Sequence, residues 1–201
     1  MTRIRVAVLI SGRGSNLAAL IDAAKAPDYP AEIALVLSNK EDAAGLAVAR
    51  EAGVPVRVIS HKVFASREEF DAAIDAALRA ASIGLVAEAG FMRIHSEWFV
   101  KRWEGRLINI HPPLLPAFPG IRVHQQVLDA GVRESGCTVH YMVPEVDAGP
   151  IIAQASVPVL PGDTVETLAA RVLVEEHRIY PEAVKTVAQQ LSLAPAQRGR
   201  G

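Results

Sequence analysis

Short runs of β-branched and apolar residues alternate with segments of helical spacing through the first half of this chain, and no other feature limits its fold so strongly. Ile4–Ile10 (IRVAVLI) and residues 33–37 and 54–59 read as strands; residues 16–24 and 43–52, the latter closed by Gly53, read as helices. Ser66-Arg-Glu-Glu69 has the form of a capping box and opens a helix to about residue 81. Further strands are expected at 83–89 and 106–110. Strands separated by helices imply right-handed βαβ units. The expected fold is therefore α/β, a mostly parallel twisted sheet with helices on both faces, Rossmann-like. After Gly131 the pattern changes to a late antiparallel strand pair, 137–143 and 151–157, and a C-terminal helix over 165–191. The expected domain is 1–193, with halves near 1–82 and 83–193, and the tail 194–201 reads as disordered.

The 201 residues suffice for one domain with a sizeable core. Net charge is -1, so no global field favours nucleic acid or an anionic membrane. The longest apolar run falls well short of the ~20 residues of a membrane span. Residues 1–5 lead into a strand with no signal-peptide layout. The single cysteine, Cys137, cannot form an internal disulfide and reads as a core thiol. A cytoplasmic protein is the simplest reading.

Three stretches carry chemistry. In Asn109-Ile-His-Pro112 a strand runs out; Asn109 and His111 share a face, and Pro112 keeps His111 extended. An amide beside a group that can carry a proton suits a developing oxyanion, although a strand-end histidine satisfied by backbone would look the same. Ser11-Gly-Arg-Gly-Ser-Asn16 links the first strand to the first helix. Leu17 stands where a dinucleotide fingerprint needs its third glycine, and no Gly-Lys-Ser/Thr follows, so the loop suits a single phosphate or is simply a tight turn. The third stretch, Pro144-Glu-Val-Asp-Ala-Gly-Pro150, is a turn whose carboxylate can reach the strand-end histidine, favour the imidazolium and raise its pKa. A metal site on His111, His124, His140 and Asp147 is the rival use, but no His-x-x-x-His or Cys-x-x-Cys spacing supports it. His61, His95 and His177 are expected on surfaces or helix ends.

These stretches belong to a longer ordered set: Val8-Leu-Ile-Ser-Gly-Arg-Gly-Ser-Asn16, Ala89-Gly-Phe-Met-Arg-Ile94, Leu107-Ile-Asn-Ile-His-Pro112, Leu114-Leu-Pro-Ala-Phe-Pro-Gly120, Gly136-Cys-Thr-Val-His140 and Asp147-Ala-Gly-Pro-Ile-Ile152. Through that set, from Ile4 to about Pro181, the chain resembles the phosphoribosylglycinamide formyltransferases, folate-dependent enzymes of purine synthesis. The Asn-x-His and Asp-x-Gly-Pro motifs recur in formyl-methionyl-tRNA synthesis and formyltetrahydrofolate hydrolysis; the early phosphate loop and the short chain separate this sequence from both. The resemblance implies that the N-terminal half binds the phosphoribosyl group, with Gly12, Gly14, Ser15 and Asn16 on its phosphate and Glu176 on the ribose side. It implies that the other half binds 10-formyltetrahydrofolate as co-substrate. Met92, Arg93, Ile94 and His95, with Val143, Pro144, Glu145 and Val146, would enclose the pterin, and Arg67 would lie near the glutamate tail. Asn109, a protonated His111 and Asp147 would be the catalytic trio, with no metal. The implied partners are small-molecule substrates, not nucleic acid or membrane, for a monomer or homodimer. A hydrolase on the same fold, or a non-catalytic phosphoribosyl or folate sensor, is the alternative; a sensor has no need of the intact trio. Four departures from the family pattern stand out. Glu88 occupies a normally apolar strand position and needs a partner, a proton or solvent. His95 replaces a usual leucine, Pro113 a usual serine, and Arg122-Val123 a frequent His-Thr.

Overall fold

Five consecutive residues of the first strand, Val6 to Ile10, have no solvent exposure. Such a run needs cover on both faces of a sheet, and the computed structural model, which describes residues 2–193, provides it. In chain order the elements are β1 (Ile4–Ile10), α1 (Ser15–Ala23), β2 (Ala31–Ser38), α2 (Gly45–Glu51), β3 (Val56–Val58), α3 (Arg67–Ala80), β4 (Leu85–Glu88), α4 (Glu97–Arg102), β5 (Leu107–His111), α5 (Val123–Asp129), β6 (Glu134–Tyr141), β7 (Ile151–Pro158) and α6 (Val165–Leu193). The protein has a seven-stranded sheet in the order β3-β2-β1-β4-β5-β6-β7. The first five strands run parallel; β6 is antiparallel to β5, and β7 to β6. This is the expected α/β architecture, with the late antiparallel pair and the C-terminal helix. The tail expectation for 194–201 lies outside the described residues.

Side chains of β1 divide between two cores. Val6, Val8 and Ile10 pack with Leu17, Leu20, Leu46, Tyr180 and Val184 of α1, α2 and α6. Ala7 and Leu9 pack with Phe70, Ile74, Phe99 and Trp103 on the α3 and α4 side. Burial of these large apolar side chains, each contributing about 1.5–3 kcal/mol, fixes the sheet between its helical layers. The chain winds outward from β1 to β3 and then returns to β4 beside β1. Strand order therefore reverses between β1 and β4, where an open α/β sheet leaves a crevice at the carboxyl ends of its strands.

The capping box at Ser66 is present with one change. Ser66 Oγ accepts the Glu69 N–H at 3.1 Å, but Glu69 Oε2 reaches back to the Ala65 N–H at 3.0 Å. Two short helices, α4 and α5, and a 3-10 turn at His61–Val63 were not expected. Six or seven residues are too few to show a helical period; α4 is announced only by Ser96, which caps the Phe99 N–H at 3.3 Å. β6 begins three residues earlier than expected and ends two earlier, because its ladder to β7 extends to the Glu134–Pro158 pair.

Candidate active site

Loops follow the carboxyl ends of the parallel strands β1, β4 and β5, and the turn between the antiparallel β6 and β7 brings Asp147 to the last of them. The loop after β1 enters α1 through Gly14, whose φ of 78° lies in the left-handed region and which gives the helix no side-chain cap. The first N–H groups of α1 are thus left for an anion. A Cβ on Gly14 would lie 2.6 Å from Gly45 Cα, so glycine there also serves the packing of α1 against α2. Asn16 Nδ2 donates to Glu176 Oε2 of α6 at 2.7 Å. Burial pushes the Glu176 carboxyl up, against the Asn16 bond that pulls it down. Gly12, Gly14, Ser15, Asn16 and Glu176 line one cleft of about 660 Å³, together with Met92 and Ile110. The apolar wall is α6, through Val165, Ala169 and Leu173.

Asn109 and His111 lie on β5 facing away from Ile108 and Ile110, because strand side chains alternate. Asp147, in the β6–β7 turn, has φ 55°. The turn is tight: a Cβ on Gly149 would fall 1.7 Å from the Tyr141 carbonyl oxygen, so only glycine fits. This conformation brings Asp147 Oδ2 to 3.6 Å from His111 Nε2 and Oδ1 to 3.8 Å from His140 Nε2. The Gly120 N–H donates to Asp147 Oδ2 at 3.0 Å. The proline-rich loop after His111 is pinned from below. Thr138 Oγ1 donates to the Pro113 carbonyl at 3.0 Å and accepts the Leu115 N–H at 2.9 Å.

Asp147 raises the His111 pKa as expected, but the expected protonated resting state of His111 needs correction. Burial lowers the His111 pKa below its ordinary value, and although Asp147 and the Phe118 backbone raise it, they do not overcome the burial. A carboxylate at 3.6 Å lies beyond hydrogen-bonding distance, whereas desolvation acts on the whole ring. His111 Nε2 is buried and has no hydrogen-bond partner. Nε2 is therefore the ring nitrogen open to a proton or a water.

The remaining expected residues separate into two groups. Met92 lines the cleft; Met92, Arg93 and Ile94 are exposed, as are Pro144, Glu145 and Val146, with Val143 half-buried. Arg67 is exposed at the start of α3. His95 is not on the surface, as expected of it, but wholly buried between Asp71 and Glu88, and it supplies the partner that Glu88 needs. The sequence reading missed two contributors. His124, weighed only as a metal ligand, lines the cleft; burial and the nearby His111 lower its pKa. Ser11 Oγ accepts the Met92 N–H at 2.8 Å and donates to Asn39 Oδ1 at 2.6 Å, joining loops 81 residues apart. Neither could be found from local pattern, since each depends on which strand ends become neighbours. Among the described residues, no helix is long and apolar enough to cross a membrane, and no group of three His, Cys, Asp or Glu side chains is placed to hold a metal ion.

A sequence profile of the formyl transferase family matches residues 4–184. The phosphoribosylglycinamide formyltransferase of Escherichia coli (strain K12) is 44% identical over 185 residues, which are 92% of this chain and 87% of that protein. The trifunctional purine biosynthetic protein adenosine-3 of Homo sapiens is 54% identical over 186 residues; the chain spans only 18% of that protein's length. A crystal structure of phosphoribosylglycinamide formyltransferase from Brucella melitensis is similar with a TM-score of 0.89 and 53% identity, covering 93% of this chain and 96% of that one.

Proposed function

The chain belongs to the formyl transferase family, and we propose that it transfers a formyl group from 10-formyltetrahydrofolate to the amine of 5'-phosphoribosylglycinamide in purine synthesis. The observation that carries this reading is the approach of Asp147 to His111, on the strand face that Asn109 shares, next to a cleft that Ile110, Pro112 and an uncapped helix N-terminus line. The phosphate sits against Gly12, Gly14, Ser15 and Asn16, and Glu176 takes the ribose side. The folate lies across Met92–Ile94 and the 143–147 turn, with Arg67 toward its tail. Exposed apolar side chains there, Met92, Ile94 and Val146, suit a flat heteroaromatic ring. No metal takes part.

The amine nitrogen attacks the formyl carbon, and the carbonyl pair moves onto oxygen. The proton shed by the amine passes, through water, to the free Nε2 of His111. The imidazolium and the Asn109 amide then stabilise the oxyanion, and Asp147 offsets the imidazolium charge. When the carbonyl reforms, the folate nitrogen leaves with that proton. His111 is thus neutral at rest and charged only as the oxyanion develops. Each oxyanion donor of this kind is worth about 10²–10³ in rate. We assign the reaction to the cytoplasm, where a lone thiol such as Cys137 stays reduced, and to a monomer or homodimer acting on small molecules alone.

The test is a formyl-transfer assay with 5'-phosphoribosylglycinamide, water and initiator tRNA as competing acceptors. The ribonucleotide should receive nearly all the formyl group. Release of formate at the same rate without it would make the protein a hydrolase.

A further inference from the structure

Between β4 and α4 the chain has no regular structure, and Met92 and Ile94 are 69% and 59% exposed. Such a segment keeps one conformation only if it is anchored from outside. The Met92 N–H is held by Ser11, and the Ser96 N–H donates to Asp71 Oδ2 of α3 at 2.5 Å. His95 joins the two ends. Its Nε2 meets Glu88 Oε1 at 2.6 Å, and its Nδ1 meets Asp71 Oδ1 at 2.7 Å. A ring with a carboxylate oxygen on each nitrogen donates from both, and so carries the positive charge. Burial opposes that charge, but Glu88 and Asp71 outweigh it and hold the ring's pKa at about 9. Phe91 and Phe99 stack on the ring with centroids at 5.4 and 4.2 Å. The next carboxylate along α3, Asp75, is taken up by Arg79 and Arg102, and Tyr180 of α6 donates to the Glu88 carbonyl at 2.6 Å.

A buried ion pair is a poor way to gain stability, since a well-packed apolar pair does as well. What it adds over an apolar pair is direction. The Glu88–His95 bond spans six intervening residues and fixes where they lie. We propose that Glu88 and His95 are positioning residues for the folate, their ion pair holding Met92–Ile94 in the conformation that receives the pterin. The proposal rests on the folate reading above and adds to it which side chains set that surface.

The decisive variant is Glu88→Leu. It leaves His95 paired with Asp71, so charge stays balanced and the fold is kept, but the bond to β4 is lost. Glu88→Gln keeps an acceptor for His95 and serves as the conservative rescue. In Glu88→Leu the Met92 amide should exchange with deuterium at least tenfold faster, while β1 amides such as Val8 keep wild-type rates. The KM for 10-formyltetrahydrofolate should rise at least fivefold, with kcat and the ribonucleotide KM within twofold of wild type. Glu88→Gln should stay near wild type in every readout. An unchanged Met92 rate overturns the proposal. So does a rise shared equally by β1, which would indicate general destabilisation, or a faster Met92 with an unchanged folate KM. A wild-type protein that transfers no formyl group would instead refute the folate reading, and the exchange arm would still decide whether Glu88 anchors the segment.

Discussion

Gly14→Ala separates what the glycine loop owes to folding from what it owes to a ligand. At φ 78° an L-residue costs about 1–2 kcal/mol. The added Cβ also meets Gly45 Cα at 2.6 Å, and this is backbone that cannot rotate away. Overpacking of that kind costs about 1–3 kcal/mol. Together the loss is roughly 2–5 kcal/mol, and at about 2–4 °C per kcal/mol for a chain of this size the Tm should fall by roughly 4–20 °C. Gly12 is the control, because a Cβ there has no heavy atom within 4 Å and its φ is not left-handed. Gly12→Ala should change stability by less than about 0.5 kcal/mol. Its methyl nevertheless lines the cleft and should weaken the ribonucleotide severalfold. Urea unfolding gives the first quantity and calorimetric titration with 5'-phosphoribosylglycinamide the second. An unchanged midpoint in Gly14→Ala would refute the packing argument. Unchanged affinity in Gly12→Ala would refute close approach of an anion to this loop.

The His111 imidazole should titrate by NMR below its ordinary value of 6.5, and lower still in Asp147→Asn, which removes the charge that raises it; kcat/KM should fall on the acid side, through that same pKa, and an alkaline fall would reverse the assignment of the resting proton. Thr138→Val keeps the shape but strands the buried Leu115 N–H and Pro113 carbonyl, so chemical unfolding should show a loss of about 1–3 kcal/mol; a neutral result would mean that the loop is not held there. Because folding raises the His95 pKa from 6.5 to about 9, its stabilisation is complete below pH 6.5 and is lost as pH rises through 9. That loss amounts to at most about 3 kcal/mol. Unfolding between pH 6 and 10 should show this decline in the wild type and a much smaller one in Glu88→Leu, and equal slopes would count against the ion pair.

Much of this protein could be read from local pattern. Val6–Ile10 is buried on both faces, and such a strand carries its own signal in consecutive apolar residues. The alternation of Asn109 and His111 on one face is likewise a property of any strand. The relation between Glu88 and His95 was hidden, although both were noticed as departures. Seven residues apart with no periodic structure between them, they meet only because the chain turns through Gly90 at φ 76°. The lowered His111 pKa is hidden for a related reason: a nearby carboxylate can be guessed from sequence, but the burial that outweighs it depends on the whole fold. His124 reads from the sequence only as a possible metal ligand, because α5 is too short to announce the helix that carries it to the cleft.

The central claim is that Asn109, His111 and Asp147 act on a formyl group carried between folate and a phosphoribosyl amine. Single-turnover transfer from 10-formyltetrahydrofolate to 5'-phosphoribosylglycinamide, with wild type and His111→Asn, tests it most directly. The variant should transfer at least about a hundredfold more slowly while binding both substrates within a few-fold of wild type. Near-normal transfer by the purified, folded variant would contradict the account.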